Sequence, residues 1–66
     1  MTTREVVERL PENIRLKIEA IRKGYKNPAL NRAEVRATLY GYTLALRDAG
    51  EITERERQIL FIYGTV

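Results

Sequence analysis

The side chains that could do chemistry in this 66-residue chain are carboxylates, cations and tyrosines, because it holds no His, no Cys and no Ser. Without imidazole or thiolate, the usual general base and the commonest nitrogen and sulfur metal ligands are missing. Acid–base work would fall to paired carboxylates, and their placement argues against it. Glu5, Glu12, Glu34, Glu54 and Glu56 all fall where helices start, where capping and the helix dipole already account for negative charge. The pairs Asp48/Glu51 and Glu54/Glu56 lack the spacing of a calcium loop, which needs several oxygen ligands around a central Gly. The four glycines stand singly, so there is no glycine-rich phosphate loop. The sequence therefore predicts no enzyme, no metal site, no cofactor and no small-molecule substrate.

The cations carry more information than the acids. Net charge is +3, and it is unevenly spread. Residues 13–36 hold seven basic groups (Arg15, Lys17, Arg22, Lys23, Lys26, Arg32, Arg36) against two acidic ones, while the segments on either side are each −1. A basic segment of this kind can follow a phosphate backbone. Within it Ala20, Gly24 and Leu30 match the small residue, turn glycine and later apolar residue of a helix–turn–helix. The connection YKNPALN is longer than that motif's usual turn of about three to four residues. Nucleic acid is thus the alternative partner. Residues 52–60, ITERERQIL, resemble the opening helix of the helix–turn–helix domains in sigma-factor region four and in LuxR-type regulators. That resemblance implies a helix start. The recognition helix of those families has no counterpart in the six residues that follow, so no DNA-contacting role carries over.

These groups must be positioned by helices. Thr2 with Glu5, and Thr53 with Glu56, have capping-box spacing, and Asn31 precedes Glu34 by three residues. Apolar residues recur at helical period: Ile14, Ile18, Ile21 and Tyr25, then Val35, Leu39, Tyr42, Leu46 and Ala49. Pro11 suits a fresh helix start, and Gly24 and Gly50 sit where helices commonly end. The pattern predicts an all-α bundle of four helices, about 3–9, 11–23, 32–48 and 54–63, in a single domain spanning 1–66. The third helix is expected to be central, with Gly41 either incidental or marking the close approach of a neighbouring helix. Expected core residues are Val6, Leu10, Ile14, Ile18, Ile21, Val35, Leu39, Tyr42, Leu46, Ile59, Leu60 and Tyr63. No apolar run approaches the roughly 20 residues of a membrane helix, and MTTREVVERL has no signal-peptide core, so a cytoplasmic protein with no membrane partner is expected.

A chain this short buries only about 60% of its unfolded surface, and self-association is one way to gain more. The run ILFIY at 59–63 is apolar on every side of a helix. Phe61 and Ile62 are expected to face away from Ile59, Leu60 and Tyr63. Together with Tyr40 and Tyr63 they form the expected partner interface, because aromatic clusters mark such surfaces. The function read from these features is protein–protein interaction with homodimerisation. The small size would suit a regulatory accessory protein of a mobile element.

Overall fold

Four helices form where the caps and the apolar period place them. In the computed structural model, which describes residues 2–66, they are α1 (Thr3–Arg9), α2 (Glu12–Lys26), α3 (Arg32–Asp48) and α4 (Glu54–Gly64). There is no strand among the described residues. Both capping boxes are made: the Thr2 and Thr53 hydroxyls accept the backbone N–H of Glu5 and Glu56, whose carboxylates accept the cap N–H in return. Asn31 Oδ1 accepts from the N–H groups of Ala33 and Glu34 at 2.9 and 3.3 Å. Leu10, forced into extended backbone by the following Pro11, separates α1 from α2.

Helix ends divide into one expected and one unexpected. Gly50 takes a left-handed φ of 78°. Its N–H reaches the Arg47 carbonyl, and the next N–H, of Glu51, reaches Leu46, closing a Schellman motif. Gly24 does not end α2, contrary to expectation; the helix runs through it to Lys26. The stop comes from Asn27 instead. Pro28 pushes it into extended backbone, and its side chain turns back to accept the Ala29 N–H at 2.9 Å.

Packing buries Ile18, Leu39 and Leu60 completely, one from each of α2, α3 and α4. α3 lies against α2 and α4, and α4 also touches α1 and α2. Close approach occurs at Gly64 rather than Gly41. A Cβ on Gly64 would run into the Leu39 side chain, whereas one on Gly41 would meet nothing within 4 Å. The sequence missed this because Gly41 sits mid-helix and Gly64 near the end, and position along a helix does not report depth. Ile52 and Thr43 are buried too, Thr43 by satisfying its hydroxyl on the Leu39 carbonyl at 2.9 Å. Glu56 is the one buried charge among the described residues: beyond its cap it pairs with Arg9 of α1, which ties α1 to the start of α4.

The chain exposes 4412 Å², close to the roughly 4,300 Å² that the surface–mass relation gives for a compact monomer of 7.7 kDa. The apolar surplus read from the sequence is therefore largely absorbed. Val35, Tyr42, Ile59, Phe61 and Tyr63 are half-buried against the core. Phe61 in particular does not face outward as expected. Turning about Leu60, it swings toward α3 and meets the Tyr40 ring edge-on at 5.9 Å.

Two measurements test this packing. Gly41→Ala should stabilise the protein by about 0.5–1 kcal/mol, since an open helix interior gains from alanine. Gly64→Ala should destabilise it by about 1–3 kcal/mol through overpacking against Leu39. Urea melts showing the opposite order would mean that the α3–α4 contact is wrongly placed. A second test uses pH. Hydrogen bonds from Arg57, then Arg47 and Gln58, hold the Glu54 carboxyl well below its ordinary value near 4.5. A depressed folded pKa stabilises above the unfolded value, and that contribution fades as pH falls from about 4.5 toward the folded one. Glu54→Gln should thus melt lower than the parent at pH 7, with the gap narrowing at pH 3. A gap unchanged by pH would remove the ion-pair account.

Candidate docking surfaces

The charged residues sort themselves by what the helix starts require. Every ion pair uses an arginine outside the basic middle segment: Arg4 with Glu8, Arg9 with Glu56, Arg47 with Asp48 and Glu54, and Arg57 with Glu54. None of the seven cations of residues 13–36 lies within 4 Å of a carboxylate among the described residues. Several lie against tyrosines instead. Arg22 sits 4.4 Å from the centre of the Tyr63 ring and donates from Nε to the Tyr63 carbonyl at 3.1 Å. Arg32 and Arg36 both cover Tyr25, and Arg36 donates to its hydroxyl at 2.9 Å. Lys17 lies 5.8 Å from the Tyr42 ring, leaving Arg15 half-buried and Lys23 and Lys26 exposed. Such contacts are worth about 0.5–1 kcal/mol each at exposed sites and leave the charge in place.

The expected interface residues separate. Tyr63 is held inside the chain, because its hydroxyl donates to Glu19 across to α2 while Arg22 covers its ring. The hydrogen bond to Glu19, and then burial, raise its phenol above the ordinary 10. Phe61 is half-buried. Tyr40 stays 48% exposed beneath Arg57, and Ile62, on the outward side of α4, is 64% exposed. Val66, also exposed, follows four residues later.

Two further exposed leucines, Leu16 and Leu30, were not among the expected interface residues. Leu16, Ala20 and Gly24 form a row at four-residue steps on α2, well round from the Ile14–Ile18–Ile21 face. That spacing was readable and marks a second, shallower apolar row. Gly24 and Leu30 help line an open groove of about 280 Å³ between α2 and α3, with Lys17 on its edge. A second groove, of about 420 Å³, lies between α1 and Tyr63 of α4. Its charged lining, Arg4 and Glu8, is already paired at 2.8 Å.

The exposed cations of the middle segment lie on both helices, Lys17, Lys23 and Lys26 on α2 and Arg32 and Arg36 on α3. The outward side of α3 carries Ala33, Ala37, Gly41 and Ala45, all exposed, with the acids Glu34 and Asp48 toward its ends. No group of three or more metal-ligating acids occurs among the described residues, and no described helix is long and apolar enough to cross a membrane. Comparison with protein families, with curated proteins and with solved structures finds no match to this chain.

Proposed function

We propose that this chain is a non-enzymatic helical protein that works by docking onto another protein, with self-association as a second contact. The observation that carries the reading is where the unburied apolar side chains lie. Leu30 lines the groove between α2 and α3, Leu16 is exposed on α2 outside that lining, and Ile62 and Val66 lie at the outward end of α4. Paired patches of this kind suit occupancy of a partner surface better than catalysis. The acids that would serve chemistry are engaged in caps and ties: Glu5 and Glu56 in capping boxes, Glu54 on Arg47 and Arg57, Glu19 on Tyr63.

The end of α4 fits a second copy of the chain, because Gln58, Ile62, Thr65 and Val66 carry no charged side chain and the nearest cation on that side, the exposed Arg55, lies two turns before Ile62. Two copies of a chain with net charge +3 approach best where neither presents its cations, and twofold pairing is the commonest form of self-association. Nucleic acid remains a second reading on one observation, the seven cations without carboxylate partners. Against it, three of the arginines are laid on tyrosine rings, and the row Ala33, Ala37, Gly41 and Ala45 on α3 carries no charge.

Light scattering over a concentration series should show mass rising from 7.7 kDa toward twice that value. Ile62→Glu should hold it at the monomer mass without lowering the melting temperature. A strictly monomeric parent at millimolar concentration would remove self-association. Duplex DNA should bind weakly at low salt and lose that binding at physiological salt, as non-specific phosphate contacts do. Tight binding that survives physiological salt would overturn the protein-docking reading in favour of nucleic acid.

A further inference from the structure

We propose that the groove between α2 and α3 receives an apolar side chain from an acidic amphipathic segment of the partner protein. This rests on the protein-docking reading and names its surface and the chemistry of its partner. The walls are Ala20, Ile21 and Gly24 on α2 and Val35 and Thr38 on α3, with Leu30 at one end. The volume, about 280 Å³, falls just short of the roughly 300 Å³ at which small-molecule sites begin. An anchoring leucine or phenylalanine suits it better than a cofactor. Two helices side by side also leave a furrow along which a third helix lays its apolar face, the common mode of helix-in-groove recognition.

Gly24 keeps this groove open. Its backbone is helical, with no positive φ to demand glycine. A methyl there would meet Leu30 Cδ1 at 3.5 Å and Val35 Cγ1 at 4.0 Å, which are ordinary contacts. The fold would accept alanine and gain helix propensity from it. What glycine provides is empty space beside Leu30 and Val35.

Charge decides the occupant. Lys17 stands on the groove's edge, and Lys23 immediately precedes Gly24 on the exposed side of α2. Neither has a carboxylate within 4 Å. Glu34, four residues before Thr38 on the α3 side, is exposed in the first turn of its own helix, where the dipole favours its charge. Acidic groups flanking an apolar anchor would therefore meet the unpaired Lys17 ammonium at the groove's edge, while a basic segment would be repelled. By contrast, the groove between α1 and α4 has its own arginine–glutamate pair and offers no such bias.

The test is an NMR titration of the full chain with a synthetic helical peptide, leucines along one face and glutamates on the other. A second peptide keeps the glutamates and replaces leucine by serine, and duplex DNA is titrated in parallel. The leucine peptide should move the amide signals of Ala20, Gly24, Leu30 and Val35, and the serine peptide should not. Gly24→Ala should melt at or above the parent temperature yet weaken the peptide several-fold. Lys17→Glu should weaken it several-fold, the scale of one partly exposed charge contact. Three results overturn the groove while leaving protein docking elsewhere intact: no groove shifts with the leucine peptide, equal binding of both peptides, or undiminished binding by Gly24→Ala. DNA that displaces the leucine peptide at physiological salt overturns both this inference and the reading beneath it.

Discussion

A leucine seated on a glycine sets the geometry of this protein. Leu39 is fully buried, and it occupies the space where any side chain at position 64 would begin. Because Gly64 offers no Cβ, the last turn of α4 can close onto the middle of α3. That closure carries its neighbours with it. Tyr63 is brought under Arg22 and against Glu19 of α2, and Phe61 is brought edge-on to Tyr40 of α3. Only Ile62, between them and opposite the buried Leu60, is turned to solvent. A five-residue apolar run thus resolves into one buried, three half-buried and one exposed residue, Leu60, then Ile59, Phe61 and Tyr63, then Ile62.

Most of the local structure was legible in the sequence because it is decided locally. A threonine three residues before a glutamate can satisfy two orphan N–H groups whatever lies around it, and both such boxes formed. The apolar period on α2 likewise needed no knowledge of neighbours, since Ile14, Ile18, Ile21 and Tyr25 are all buried. What could not be read was depth. Gly41 lies mid-helix and Gly64 is the last residue of α4, but only the assembled bundle distinguishes open space from contact. The end of α2 failed for a related reason. Gly24 and Asn27-Pro28 both carry stop signals, and the proline's steric demand prevailed because glycine permits a helix end without requiring one. Among the expected interface residues, Tyr40 and Ile62 are exposed while Phe61 and Tyr63 fell to tertiary partners 21 and 44 residues away.

Charge separation follows from the same capping chemistry. Helix starts attract acids, and this short chain has four of them, so four of its nine carboxylates, Glu5, Asp48, Glu54 and Glu56, are committed to backbone N–H groups or to arginines near the α3–α4 junction. Glu19, which could have balanced the cations of α2, is engaged by the Tyr63 hydroxyl. The basic middle segment is left with tyrosine faces as its partners. Those hold an arginine in place without neutralising it, so the segment keeps its field while losing little of its order.

Two glycines remain that neither backbone conformation nor close packing requires, Gly24 and Gly41. Each costs about 0.5–1 kcal/mol relative to alanine in a helix interior. For a domain stabilised by about 0.05–0.15 kcal/mol per residue, that is a substantial concession. Their surroundings separate them. Gly41 faces open space in a row of exposed small residues, with no atom within 4 Å for a bound group to share. Gly24 faces Leu30 and Val35 across a concave wall with an unpaired lysine at its edge. An apolar group entering there would gain contact on several sides and remove Leu30 from water, whereas one approaching Gly41 would gain contact on one. Concavity, apolar lining and unbalanced charge coincide at Gly24, and that coincidence makes the α2–α3 groove the stronger docking surface.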